Sequence, residues 1–303
     1  MIFIYALKNK YENKIVLFFK LFISVYAVWF VSQKDFNLII PEKDTLLLFL
    51  ILIVFSLINW WLEIKKWQFL ARNVQNIDFK TALKQSLIGF SLASITPNRI
   101  GEYGAKAVFY PKQERKKILS LNFIGNTTQL LSTLFFGLLS ILFLFFFKKA
   151  EFFRVAVLTD NQYFYLFFVL FFSLIFFLFI FKKFNYPDIL DKTVFYKSLV
   201  FSVARYLIFS TQFFLLYIFW YSHTNLLLVL MAIYLSYFLS SLLPVFIFTD
   251  WAIKGSISLW VFTKLGLMSS IVLEIVGFMW IFNFLIPFFA GIVLLWFLKI
   301  VSK

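Results

Sequence analysis

One short stretch, residues 94–106, combines charged side chains with a helix-breaking proline between apolar segments. Arg99, Glu102 and Lys106 follow Pro97 closely in the chain. Charge between apolar segments is costly and is normally retained for function. This stretch is therefore the best candidate for a functional site.

A second copy of the pattern occurs about 150 residues later in the chain, after Pro244. In both copies an acid is followed by an aromatic residue, two further residues and a lysine. The first copy has Glu102 and Lys106, and the second has Asp250 and Lys254. The spacing predicts two structural repeats that each contribute to one site, with Pro97, Gly101 and Pro244 as hinge residues.

The charges predicted at membrane depth leave one excess positive charge. They are Arg99, Lys106, Arg205 and Lys254 against Glu102, Asp250 and Glu274. Such a pocket suits a phosphate-bearing head group, because an arginine guanidinium grips phosphate oxygens in a forked geometry. We expect Arg99 and Arg205 to hold the phosphate. The Glu102/Lys106 and Asp250/Lys254 pairs are expected to line or gate the path.

A structural role for the same residues stays open. Glu102 precedes Lys106 by four residues, and Asp250 precedes Lys254 by four, which is a favourable arrangement for ion pairs within a helix. Such pairs neutralise one another or extend to a membrane interface. Arg205 lies about two turns inside its predicted span and can also reach an interface.

Composition identifies an integral membrane protein. Of the 303 residues, 62% are hydrophobic and 14% are charged, and the mean hydropathy is +0.90. The absence of cysteine excludes disulfides, thiol nucleophiles and thiolate metal sites, and His223 alone cannot form a histidine metal site. We expect neither a metal nor a cofactor. Trp60, Trp61, Trp67 and Trp220 are predicted to mark span ends at the headgroup level.

Apolar runs predict an all-α, polytopic membrane domain over residues 1–303, with about six full spans and two broken hairpins. Residues 98–110 are too few to cross a hydrocarbon core of about 30 Å, because a helix rises only about 1.5 Å per residue. A re-entrant helical hairpin is therefore expected, with a counterpart in residues 226–265, although two full spans there remain an alternative. In chain order the predicted elements are 15–32, 45–61 continuing to 70, the hairpin 81–96 with 98–110, 118–147, 163–181, 198–221, the hairpin 226–243 with 249–265, and 269–298.

Those elements fall into two sets of four, repeat one over about 15–147 and repeat two over about 162–298. Three crossings separate the two hairpins, so the second set is predicted to be inverted relative to the first. Most of the 29 lysines and arginines lie on one side of this topology. The positive-inside rule then places both termini in the cytoplasm of a multi-pass cell-membrane protein. This bias accounts for most of the net charge of +15, so no nucleic-acid partner is expected.

The motif in the first hairpin resembles that of the lysylphosphatidylglycerol synthase transmembrane-region family, which are flippase-like membrane proteins. That family's pattern of proline, any residue, arginine, any residue, glycine and glutamate is matched by Pro97, Arg99, Gly101 and Glu102. In a second, weaker signature Pro244 and Asp250 match, whereas residues 245–248 replace glycines. The resemblance implies a membrane domain that moves or binds a lipid or lipid-linked head group.

Three functions therefore remain in view. A flippase-like transporter leads, and it is expected not to be an enzyme, since the soluble aminoacyl-transferring domain of bifunctional relatives is not found here. A membrane enzyme or enzyme subunit acting on a lipid-phosphate-linked sugar is the second. A noncatalytic membrane scaffold is the third. The partners expected are a membrane lipid or lipid-linked head group, with a separate enzyme or a second copy of the chain as further possibilities.

Overall fold

The computed structural model describes residues 45–96, 100–146, 192–222, 224–243 and 249–297, together with Val25, Trp29, Ser32 and Gln33. Throughout these residues the regular structure is helical, as the composition predicted. Several predictions fall outside the described residues. They concern Pro97, Arg99, Pro244, His223 and the spans predicted at 15–32 and 163–181.

Nine α-helices and one π-helical turn make up the described part of the chain. The helices are α1 (Thr45–Ala71), α2 (Phe79–Ile95), α3 (Ile100–Val108), α4 (Arg115–Phe146), α5 (Lys192–Trp220), α6 (Leu226–Leu242), α7 (Asp250–Lys264), α8 (Val272–Trp280) and α9 (Ile286–Trp296). The π-helical turn (Ile281–Leu285) joins α8 to α9. Within the described residues, four helical segments are long and apolar enough to cross a membrane: Leu46–Ala71, Arg115–Phe146, Lys192–Trp220 and Val272–Trp296. The chain is thus a helical membrane protein.

The first helix continues well past its apolar part, as predicted. It ends at Ala71, and its last three turns carry Glu63 and Lys66. These turns stay helical because they pack inside the protein, where Trp67 is almost fully buried. The Trp67 ring thus lies in the protein interior and does not face lipid, and its predicted place at the headgroup level stays a prediction.

The first hairpin pairs a long helix with a short one. Helix α2 begins where the Asp78 carboxylate accepts a hydrogen bond from the Thr81 backbone N–H at 2.9 Å, which caps the helix. Helix α3 has nine residues and packs against α2. Gly101 lies where a Cβ atom would collide with the Leu92 carbonyl, and its own N–H donates to Thr96 Oγ1 at 2.8 Å. Only glycine permits this close approach of the two helices.

The last long span is interrupted by a π-helical turn. The irregular turn lies just before Pro287. Proline has no N–H and its ring displaces the carbonyl four residues earlier, which belongs to Asn283. That carbonyl instead accepts a hydrogen bond from Trp60 Nε1 at 3.0 Å. Gly291 allows close contact with the Leu87 carbonyl of α2.

Helix pairs far apart in the chain form the main packing contacts. Helix α1 packs along α5, α4 packs along α6, and α9 packs along α2. Within the chain order, α2 packs on α3, α6 on α7, and α7 on α8. The largest apolar core lies around α5, α6 and α7, and a second one lies between α1 and α4. The charged residues of α1, α3 and α5 are positioned beside these cores.

Candidate functional site

A single carboxylate on α1 forms ion pairs with two cations. Glu63 Oε2 lies 2.9 Å from Lys66 Nζ and 2.8 Å from Arg205 Nη1 on α5. Arg205 Nε also donates to Asn59 Oδ1 at 3.0 Å. Because residues 59, 63 and 66 recur every three or four positions, they share the face of α1 that packs on α5. Among the described residues, two cations on one carboxylate leave one positive charge without a counter-charge.

The hydrogen-bonded network continues from Asn59 into the π-helical turn between α8 and α9. Asn59 Nδ2 donates to Asn283 Oδ1 at 2.8 Å, and Asn283 Nδ2 donates to Gln212 Oε1 at 3.0 Å. Gln212 Nε2 in turn donates to Ser56 Oγ at 3.1 Å. Buried amides are stable in an apolar interior when their donors and acceptors find partners. This network therefore fixes the position of the Arg205 guanidinium.

The second part of the site is the ion pair of α3. Lys106 Nζ lies 2.8 Å from Glu102 Oε1, and the side chains are only 3% and 4% exposed. Lys106 Nζ also donates to Asn122 Oδ1 of α4 at 2.9 Å and lies 4.2 Å from the centroid of the Trp67 ring. Gly89 on α2 makes room for this lysine, since a Cβ there would lie 3.2 Å from Lys106 Cε. Residue Lys106 is thus enclosed by three helices.

A glutamine anchors the ring that covers Lys106. Gln85 Oε1 accepts hydrogen bonds from Trp67 Nε1 at 2.8 Å and from the Tyr110 hydroxyl at 2.9 Å. Tyr110 lies in the loop after α3, and burial raises the pKa of its hydroxyl above the ordinary value. The hydroxyl therefore stays protonated and keeps its role as donor.

The two parts form one charged cluster. Lys66 Nζ approaches the Gly125 carbonyl of α4 at 3.4 Å, and Lys106 is close enough to act electrostatically on Glu63. The cluster contains two carboxylates, those of Glu63 and Glu102, and three cations. We call it the charged cluster, and its members are Glu63, Lys66, Glu102, Lys106 and Arg205. Its net charge is one excess positive charge, which is the balance that the sequence predicted from a different set of residues.

The second predicted pair lies elsewhere. Lys254 Nζ is 2.6 Å from Asp250 Oδ2 at the beginning of α7, where the side chains are 35% and 19% exposed. Helix α7 packs on α6 and α8, whereas α3 packs on α2 and α4. Among the described residues the contacts therefore do not join Asp250 and Lys254 to the charged cluster.

Glu274 also lies apart from the charged cluster. It is buried in the first turn of α8, and in the described part of the chain its Oε2 has no hydrogen-bond partner. No group of three or more possible metal-ligating side chains comes together within those residues. Among the described residues, no hydrogen bond or ion pair connects Glu274 to Arg205.

Sequence reasoning missed Glu63 and Lys66. Lys66 follows Lys65, and the two together suggest the positively charged end of a span rather than its interior. The signal that finds them is the polar stripe of α1, which consists of Ser56, Asn59, Glu63 and Lys66. A stripe of that spacing on an otherwise apolar helix indicates a face turned to a polar interior.

Comparisons with protein-family models, with curated proteins and with solved structures give no match for this chain. What the site can do must therefore be argued from its residues.

Proposed function

We propose that this chain is a flippase-like membrane transporter that binds and moves a phosphate-bearing lipid or lipid-linked head group. The observation that carries the proposal is the sharing of the Glu63 carboxylate by Lys66 and Arg205. A buried cation that lacks a full counter-charge is expensive, and an incoming anion removes that cost. The same arrangement remains stable before the anion arrives because each cation keeps part of a carboxylate.

Arg205 has the geometry to meet the phosphate. Its Nε and Nη1 atoms are occupied by Asn59 and Glu63, while Nη2 has no hydrogen-bond partner among the described residues. The side chain is 27% exposed, in contrast to the enclosed Lys106. The free edge of the guanidinium can therefore donate to a phosphate oxygen without breaking the network that holds it.

Two features of the helices support the proposed pair of inverted repeats. Helix α2 has 17 residues and α6 has 17, and each precedes a helix too short to cross a hydrocarbon core of about 30 Å. The packing is also reciprocal: α4 of the first set packs on α6 of the second, and α9 of the second packs on α2 of the first. Such reciprocity is expected of two repeats related by a two-fold axis, an arrangement common in transporters.

The proposed orientation places both termini in the cytoplasm of the cell membrane, from the distribution of lysine and arginine. In this orientation the loop Phe109–Glu114 between α3 and α4 is cytoplasmic, whereas the turn around Gly266 is exterior. The charged cluster then lies towards the cytoplasmic half, because Lys66 and Lys106 are close to the ends of α1 and α3 on that side. A head group would be captured there from the cytoplasmic leaflet.

Binding of short-chain phosphatidic acid to the purified protein in detergent tests the proposal. Arg205→Gln should weaken binding about thirtyfold, because a charge-assisted hydrogen bond to phosphate contributes about 2 kcal/mol. Glu63 keeps Lys66 as its partner in this variant, so the fold should persist. Arg72→Gln changes an exposed loop arginine and is the matched control. Equal binding by Arg205→Gln and the wild type would refute a phosphate site at Arg205.

A further inference from the structure

Two buried amide atoms on α4 lack hydrogen-bond partners in the described part of the chain, and one of them belongs to a residue that contacts the charged cluster. Asn122 is 2% exposed; its Oδ1 accepts from Lys106, but its Nδ2 donor has no hydrogen-bond partner in the described part of the chain. In Gln129 it is the acceptor that lacks a partner: its buried Oε1 accepts no hydrogen bond from the described residues. Buried polar atoms without partners are uncommon and costly in folded proteins.

The two side chains share one face of α4. Residues 122, 126 and 129 recur at intervals of four and three, so they form a stripe along the helix. Asn126 shows where that stripe points, because its Nδ2 donates to the Tyr103 hydroxyl of α3 at 3.2 Å. Thr128 lies on a different face and contacts Ser198 and Ser202 of α5. The unpartnered atoms thus face the hairpin that carries Glu102 and Lys106.

We infer that Asn122 and Gln129 form a hydroxyl-binding subsite, which selects a lipid whose phosphate bears a polyhydroxylated group such as a sugar or cyclitol. This inference rests on the proposed function and adds the class of head group. One free donor and one free acceptor suit hydroxyls, since each hydroxyl both donates and accepts. A phosphate only accepts, and a quaternary ammonium does neither.

The separation of the two residues also favours a head group larger than phosphate. Seven residues of helix rise about 10 Å, which is further than the oxygens of one phosphate reach. Asn122 contacts Lys106, which is one cation of the charged cluster, whereas Gln129 is about two turns further along α4. A phosphate near the cations would leave its hydroxylated group alongside the Asn122 to Gln129 stripe.

The test compares short-chain phosphatidylinositol, phosphatidic acid and phosphatidylcholine on the purified full chain. Wild type should bind phosphatidylinositol more tightly than phosphatidic acid, and phosphatidylcholine least. Gln129→Met removes the unpartnered acceptor at nearly constant volume and should cost phosphatidylinositol about fivefold in affinity, the value of one neutral hydrogen bond. Phosphatidic acid binding should not change. Gln75→Met, at an exposed loop position, is the matched control and should change neither lipid.

The outcomes separate the two proposals. Two results would contradict the subsite while leaving the phosphate site in place. In the first, phosphatidic acid binds in an Arg205-dependent way but phosphatidylinositol binds no more tightly. In the second, Gln129→Met weakens the binding of both lipids equally. If phosphatidic acid does not bind at all, both are wrong. Asn122→Leu, checked for unchanged thermal unfolding, should lower phosphatidylinositol affinity in the same way. Inositol 1-phosphate distinguishes the source of the head group: binding as tight as that of the lipid would contradict a lipid substrate.

Discussion

Arg205 Nη1 lies 2.8 Å from Glu63 Oε2, although the two residues are 142 positions apart in the chain. This contact joins α1 to α5. Arg205, inside one predicted span, is thereby paired with the Glu63 carboxylate near the end of another span. Lys66 competes for the same oxygen at 2.9 Å. Within the described part of the chain the two cations therefore lack one negative charge, and the proposed function follows from that deficit.

Removing the shared carboxylate should separate stability from binding. Glu63→Gln leaves Lys66 and Arg205 without their counter-charge, and breaking a buried pair in this way typically costs about 3 kcal/mol. The uncompensated cations should, however, bind phosphatidic acid more tightly than in the wild type. Thermal unfolding and lipid binding, measured on the same sample, check the two effects. A Glu63→Gln variant that is less stable and also binds phosphatidic acid more weakly would contradict an anion site here.

Trp60 of α1 should be energetically coupled to Pro287 of α9 through the Asn283 carbonyl. Trp60→Phe removes the indole donor to the Asn283 carbonyl and should destabilise the protein by about 1 kcal/mol. Pro287→Ala restores an N–H that can bond that same carbonyl within the helix. Trp60→Phe should therefore lower the free energy of unfolding less in the Pro287→Ala protein than in the wild type. Unfolding free energies of the two single variants and the double variant give the interaction term, and strictly additive effects would show that the carbonyl is not shared.

The cap of α2 predicts a pH dependence outside the membrane spans. The hydrogen bonds from Thr81 lower the pKa of the Asp78 carboxyl in the folded protein. A group whose folded pKa is lowered stabilises the fold at pH values above its unfolded pKa, and this contribution is lost as the pH falls through the folded pKa. Asp78→Ala should lower the Tm at neutral pH and reduce this acid-dependent loss. Asn76→Ala, in the same loop, serves as the control and should leave the pH profile unchanged.

The proposed orientation can be tested because the chain contains no cysteine. Gln113→Cys, in the exposed loop before α4, should be labelled by a membrane-impermeant maleimide only from the cytoplasmic side. Met268→Cys, in the exposed turn before α8, should be labelled only from the exterior. Labelling of both from the same side would contradict the proposed topology.

The sequence predicted individual helices better than the contacts between them. Hydropathy and length identified α1 and its continuation past Trp61, and the short segment predicted at 98–110 corresponds to the helix Ile100–Val108. The i to i+4 spacing also identified both lysine–acid pairs, because such pairs form within one helix. The Glu63 to Arg205 contact depends on how α1 packs on α5, and periodicity carries no information about which helices become neighbours.

Lys66 illustrates the same difficulty at a single position. Beside Lys65 it resembles a basic residue at the end of a span, yet it is buried and paired with Glu63. Its environment is determined by α4, because the Gly125 carbonyl accepts from the lysine and Gly125 has no side chain to occupy the space beside it. Only the packed structure distinguishes the buried Lys66 from the half-buried Lys65 beside it.

Transbilayer movement of a fluorescent anionic phospholipid in reconstituted vesicles tests the central claim most directly. The account predicts movement by the wild type and by Arg72→Gln, a loss on the order of thirtyfold in Arg205→Gln, and partial recovery in Arg205→Lys, because an ammonium restores the charge but not the fork. Thermal unfolding of each reconstituted variant should be similar. Normal lipid movement by a folded Arg205→Gln protein, or no movement by the wild type, would contradict the account.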